Sequence, residues 1–399
     1  MMHLFINALA ASAGGGVTYV RNVVPHLAQQ EDVKVTVLLD ARLAGELQPS
    51  PNIAFIGGCN SSDAALRFIA EQRAVPALIR KTAADVLLST GNFAIFRSPV
   101  PQILLSRNAL YTSRDFLLDL RRRGDYRIWL DTEIKAALAR WSIAAADYVI
   151  APSEAFAREL QLCMGKPIAA VHHGFDNEAF FRGGTSLPDD LRDKLDSARG
   201  AVRLLFVSHY NYYRNFETLI RALPQIRRKL YPRRVTLFLT CNLGAEKNRS
   251  GYCSGSAASL VDNLGLADDV VELGAIPYQQ LHCVYRNADV YVTPAYAESF
   301  AHPLVEAMAS SLPIVASDLP VHREICGEAA LYFPRFSAQD LAENVAELIR
   351  VPEIAREMAK KAILRSLDFS WKLHVERILA VAKQLLSNHN RGLSFRESC

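Results

Sequence analysis

A chain of 399 residues is longer than one hydrophobic core commonly supports, and a composition half hydrophobic and 22% charged is that of a globular protein. A net charge of +4 argues against a dedicated nucleic-acid binder, and no stretch reaches the ~18 uninterrupted apolar residues of a membrane span. Seven cysteines without a CxxC pair indicate the reduced thiols of a cytosolic protein, and the scattered histidines and cysteines show no metal-type spacing.

The opening MMHLFINALAASA lacks the basic start of a leader, and Asn7 interrupts its apolar run, so it reads as a buried strand. Gly14, Gly15 and Gly16 follow, then a helical pattern. Glycines in such a turn let backbone amides approach a phosphate or sugar, although three glycines are as often only a turn. VKVTVLLD, IAFIG, DVLLST and VPQILLS continue as strands, separated by helical stretches. Apolar runs that do not alternate imply strands covered on both faces, hence parallel sheets wrapped by helices. Arg121, Arg122 and Arg123 form a basic run, and Arg227, Arg228, Lys229, Arg233 and Arg234 form another. A solvated helix face is the plain explanation of each, and contact with anionic lipid the sharper one.

Gly174–Asp190, carrying Gly, Pro and Asp, reads as a linker. A second strand series follows: AVRLLFVS, RVTLFLT, DVVELG, DVYVTP, LPIVAS and AALYFP. The Gly/Ser-rich NLGAEKNRSGYCSGSAASL reads as a mobile insertion. The expected fold is α/β, with two Rossmann-like doubly wound domains facing a central cleft and a ligand at the carboxyl ends of the strands.

Two loops of the second domain carry the chemistry. His209 and Arg214 lie between the strand LLFVS and the helix NFETLIRAL, and arginine's planar fork suits phosphate oxygens. Glu298 follows the strand DVYVTP, Pro303 suits a helix start, and Glu306 sits in the second turn. Amides around Ala301, His302, Leu304 and Val305 would face an anion, and two carboxylates so placed would accept hydrogen bonds from ligand hydroxyls. A sugar joined to a nucleoside through a diphosphate offers that combination.

With these motifs in place, the sequence resembles a family-four (group 1) retaining glycosyltransferase of GT-B architecture. The resemblance rests on Glu298-SFAHPLV-Glu306 followed by AMASSLPIVASD. It also rests on the glycine loop, APSEAFARELQ, VHHGFDNEAFF, RNFETLIRAL, LGLADDVVELGAIPYQQLHCVYRNADVYVTP, REICGEAALYF and FSWKLHVERILAVAKQLL, which span most of the chain in order.

The resemblance implies that Glu306 holds the ribose and Glu298 the transferred sugar. Ser299, Phe300, Ala301, Leu304 and Val305 would meet the donor, together with Gly15 and Gly16, while His209 and Arg214 face the leaving diphosphate. Arg107, Asn108 and His173 are the acceptor-side candidates. No metal is expected, and the nucleotide-sugar is a substrate rather than a cofactor. Residues 1–175 with about 370–390 would form the acceptor domain and 176–369 the donor domain. The implied reaction moves a sugar from a UDP- or GDP-linked donor to a saccharide or lipid-linked acceptor, in cell-surface polysaccharide or lipopolysaccharide synthesis. A nucleotide-sugar epimerase or a silent nucleotide-sugar binder is the alternative. The setting implied is cytoplasmic, with peripheral membrane contact through Arg121–Arg123. The chain departs from the pattern in three ways: Ser299 and Ala301 replace glycines, His209 replaces a fixed cation, and SRNALY lacks a histidine.

Overall fold

The computed structural model describes residues 1–11, 15–58, 64–182, 187–244 and 251–397. The chain divides into two compact units, the first made of Met1–Thr112, Tyr126–Gly174 and everything from Ser370 onward, the second of Ser113–Asp125 and Phe175–Phe369.

Among the described residues the first unit holds seven parallel strands: β1 (Met2–Asn7), β2 (Val33–Asp40), β3 (Ile53–Gly58), β4 (Val86–Ser89), β5 (Gln102–Leu105), β6 (Tyr148–Ala151) and β7 (Ala169–Ala170). Their order is β3-β2-β1-β4-β5-β6-β7. Every residue of β1 is buried. Leu4 and Ile6 pack with the helices Gly15–Ala28 and Trp371–Glu397 on one face. Phe5 packs with Val75 and Ile79 on the other. This two-sided burial explains why the strand sequences do not alternate. The short β6 and β7 were not among the strands expected from sequence.

Among the described residues the second unit holds six parallel strands: β8 (Val202–Phe206), β9 (Val235–Leu239), β10 (Val270–Glu272), β11 (Val290–Thr293), β12 (Ile314–Ser317) and β13 (Leu331–Phe333). Their order, β10-β9-β8-β11-β12-β13, reverses direction between β8 and β11. Loops leaving adjacent strands at such a reversal diverge, so a crevice opens at their carboxyl ends.

Three expectations change in detail. The stretch read as a linker contains a packed helix: Asp176 caps Asn177–Phe181, and Phe180 is buried against Tyr285 and Tyr278; residues 183–186 lie outside the described part. The stretch read as a mobile insertion includes the helix Gly255–Asn263, while residues 245–250 are outside the described part. Ser113–Asp125 groups with the second unit rather than with the sequence that flanks it.

Candidate active site

In the second unit, β8 ends at Phe206 and the chain crosses to a single 3-10 turn, Tyr212–Arg214, before the helix Phe216–Leu230. Asn215 sits between turn and helix with φ of 57°, a left-handed conformation that asparagine tolerates better than most residues. Its Nδ2 donates to the carbonyls of Pro294 (3.0 Å) and Arg335 (2.7 Å), and its Oδ1 accepts from Thr218 Oγ1 at 2.8 Å. The Tyr296 amide donates to the Tyr213 carbonyl at 2.9 Å. The loops after β8 and β11 are thereby sewn together across the strand reversal.

This stitching brings Arg214 onto Glu298: Nη1 of the arginine donates to Oε2 of the carboxylate. The side chains are 20% and 12% exposed, so the pair is largely but not wholly out of water. Burial alone would push the Glu298 carboxyl up, but Arg214 outweighs it, with help from the Ser299 amide at 3.2 Å, and holds it below the usual carboxylate range. Burial likewise opposes the Arg214 charge, and Glu298 with the neighbouring tyrosines holds it above its ordinary value. The guanidinium also lies over the Tyr213 ring, 5.0 Å from its centre.

Glu306 has a different environment. It lies on the helix His302–Ala309, whose N-cap Ala301 has φ of 65°. A side chain in this region is strained, which is the physical reason a glycine would suit the position. Glu306 is buried, and burial pushes its carboxyl up to about 7, with the Tyr285 hydroxyl, donating to Oε2 at 2.9 Å, pulling the other way. Of the amides expected to face an anion, that of Leu304 donates to the Ala301 carbonyl at 3.0 Å instead. Pro303 has none to offer. Val305 and Phe300 are buried in the helix start, Phe300 against Phe369 and His302. His209 is exposed in the loop after β8.

The first unit gathers another set. Gly14 is outside the described residues. The Gly15 carbonyl accepts from Arg107 Nη1 at 2.9 Å. A Cβ on Gly16 would lie 3.0 Å from both the Ala11 Cα and Arg107 Nη2, so Gly16 meets a close approach that a side chain would crowd. Burial lowers the Arg107 pKa, and the guanidinium sits 5.8 Å from the centre of the Tyr19 ring. Asn108 caps the turn Ala109–Tyr111 by accepting from the Leu110 amide at 3.1 Å. His173 is buried among the rings of Tyr19, Trp371 and His374, a packing position rather than an exposed contact for an acceptor.

The basic run corrects one expectation. Arg123 is not part of a free patch. It contacts Asp119 at 3.0 Å and Glu217 at 2.9 Å, and it lies 4.2 Å from the Tyr212 ring centre. Asp119 accepts from the Tyr296 hydroxyl at 2.7 Å, and Asp115 pairs with Arg335 at 3.1 Å. These contacts fasten the helix Arg114–Arg123 to the second unit, leaving Arg121 and Arg122 exposed. In the second run, Arg227 and Lys229 are paired with Asp269 and Glu343.

Three contributors were not singled out in the sequence. Asn215 lies within the recognised RNFETLIRAL, but its left-handed backbone leaves no mark beyond the residue type. Tyr285 meets Glu306 only through folding. His322 has Nδ1 against the Ser317 carbonyl and hydroxyl (3.1 and 3.0 Å), and its buried Nε2 has no hydrogen-bond partner among the described residues. Burial lowers its pKa to about 4, so it is neutral despite the nearby Glu298.

Two Rossmann-like units, with an arginine–carboxylate pair at the strand reversal of the second, have the architecture of the GT-B class. Sucrose-phosphate synthase from Thermosynechococcus elongatus matches 97% of this chain and all of its own (TM-score 0.76, 18% identity). The Anabaena HepE protein in complex with UDP-glucose matches 96% and all of its own (TM-score 0.70, 18% identity). Family models agree in both halves: Glycosyltransferase Family 4 over residues 13–179 and Glycosyl transferases group 1 over residues 189–365. The chain belongs to the group 1 glycosyltransferases of family 4. Curated relatives include the D-inositol 3-phosphate glycosyltransferases of Corynebacterium aurimucosum (27% identical over 51% of this chain and 48% of the relative) and Nocardia farcinica (26%, over 59% and 52%). The matches thus span about half the length of these relatives.

Proposed function

We propose that the chain is a retaining glycosyltransferase that moves a sugar from a UDP- or GDP-linked donor to a saccharide or lipid-linked saccharide, without a metal, in cell-surface polysaccharide or lipopolysaccharide assembly. The observation that carries this reading is the Arg214–Glu298 pair at the strand reversal, held by the Asn215 and Tyr296 stitches. As the bond between the anomeric carbon and the diphosphate oxygen breaks, negative charge gathers on the diphosphate. A guanidinium already in place stabilises that charge without reorganising. The acceptor oxygen forms the new bond, and its proton passes to the departing phosphate oxygen. Glu298, held ionised, accepts from sugar hydroxyls, and Glu306 from the ribose. HepE, named in complex with UDP-glucose, makes UDP the first donor to try. Relatives named for inositol 3-phosphate add phosphorylated polyols to the acceptor panel.

Thermal unfolding with UDP, GDP and their sugar conjugates tests the donor site. A ligand at 100 times its Kd should add about 2.7 kcal/mol of stability. Turnover with an acceptor panel, product anomer read by NMR, should persist in EDTA. No stabilisation by any nucleotide diphosphate would end the reading. Conversion of donor without acceptor would make the protein an epimerase, and binding without turnover across the panel a silent binder.

A further inference from the structure

The helix Tyr126–Ala145 turns mostly small side chains inward and four large apolar ones out. Its buried positions are Thr132, Ala136, Ala139, Ser142 and Ile143. Facing solvent are Tyr126, Leu130, Ile134 and Trp141, which are 64%, 54%, 54% and 65% exposed. At 3.6 residues per turn these four fall within an arc of about 80°, in a row about 22 Å long. A solvent-facing helical surface is ordinarily polar, so an aligned apolar row needs a partner. Arg127 and Arg140, both exposed, border the row on its two sides. Of the acidic residues on the helix, Asp131 is paired with Lys135 at 2.6 Å and Glu133 is half-buried.

We propose that this face seats the first unit on an anionic bilayer, with Leu130, Ile134 and Trp141 at the boundary between headgroups and acyl chains and Arg127 and Arg140 against lipid phosphates. Three observations select a membrane over a second copy of the chain. Tyr126 and Trp141, at the two ends of the row, have the apolar body and polar tip that suit the membrane–water interface. The exposed charges bordering the row, Arg127 and Arg140, have no ion pair among the described residues; they are complementary to lipid phosphate and repulsive to another copy of the same row, and outnumber the half-buried Glu133 that lies beside Arg140. The exposed area of the four side chains is on the order of 400–500 Å², about half of the ~800 Å² per partner that a stable protein interface buries. Among the described residues no helix is long and apolar enough to cross a membrane, so the contact runs along the surface, as for an interfacial amphipathic helix. The proposal rests on this helix alone and stands whatever the donor and acceptor prove to be.

The test is co-sedimentation of the full chain with extruded vesicles of phosphatidylcholine, with and without phosphatidylglycerol. Binding should need the anionic lipid and weaken with salt. A combined Leu130→Ser, Ile134→Ser and Trp141→Ser variant should bind at least about tenfold more weakly, and Arg127→Gln or Arg140→Gln about fivefold each. Since all five positions are exposed, the circular dichroism spectrum should not change. Brominated acyl chains should quench part of the tryptophan emission, and Trp141→Phe should remove that part. Equal binding by the triple variant, equal binding to neutral vesicles, or no quenching overturns the proposal. So does a wild-type dimer in analytical ultracentrifugation that the triple variant dissociates, because the row would then be a protein interface.

Discussion

Arg107 and Arg214 occupy similar places in the two units, each in a loop that leaves a parallel strand at its carboxyl end, yet their surroundings oppose each other. Arg107 donates to the Gly15 carbonyl and lies over Tyr19, and burial lowers its pKa. Arg214 is met by Glu298, which holds its charge above the ordinary value in spite of burial. A guanidinium on a backbone carbonyl braces a turn. One shared with a carboxylate at a partly exposed crevice remains a charge that an incoming diphosphate can engage. On the proposed reading the difference is that between a scaffold arginine and a reacting one, and each of the following experiments breaks or sharpens it.

The largest effect should come from Arg214→Ala, which is expected to lower kcat about 10²–10³-fold, the cost typical of removing one preorganised charge-stabilising group. Arg214→Lys should fall between, keeping charge but losing the fork. Arg107→Ala should cost thermal stability and change kcat by less than about tenfold. Steady-state kinetics beside melting curves read both, and equal losses of kcat would erase the distinction.

Glu306→Ala comes next. It should weaken nucleotide binding by about 1.5–3 kcal/mol, the scale of hydrogen bonds to a charged group. Calorimetry with UDP and GDP measures it, and unchanged affinity would remove Glu306 from the donor site. The same residue gives a pH signature. Its folded pKa, about 7, is above that of an ordinary glutamate, so its contribution to stability is present below about 4.5 and lost as pH rises towards 7. Ribose hydroxyls donate to the ionised form, so affinity should rise with pH through about 7. Glu306→Gln should lack that rise, and the ratio of wild type to variant cancels the titration of the nucleotide's own phosphate. A flat ratio would show that the carboxyl is not the group being read.

Gly16→Ala should destabilise by about 1–3 kcal/mol, since the new Cβ meets the Ala11 backbone and Arg107 together. Because the Glu306 site lies in the other unit, the melting temperature should drop more than nucleotide affinity does. The smallest effect is a gain. Ala301→Gly should stabilise by about 0.5–1 kcal/mol, because it relieves a left-handed alanine at the price of chain entropy. A loss of stability on denaturant titration would mean that the methyl group's packing outweighs the strain.

The sequence by itself determined the two doubly wound sheets, because strands buried on both faces must be written as unbroken apolar runs, and most of the strands announce themselves that way. It also determined the placement of Glu298, Glu306 and Arg214, since the loop after a strand and the first turns of a helix have local signatures. Tertiary structure alone decided the rest. That Arg214 closes on Glu298, 84 residues away, depends on which strands are neighbours, and strand order is a long-range property. The helix Arg114–Arg123 sits between stretches of the first unit, yet Asp119, Glu217 and Arg335 fasten it to the second. Asp119, four residues before Arg123, is the one local mark that separates it from the exposed Arg122 beside it, while its second partner, Glu217, lies 94 residues away. That Arg123 also reaches Glu217 and the Tyr212 ring depends on partners far along the chain, about which local pattern holds no information.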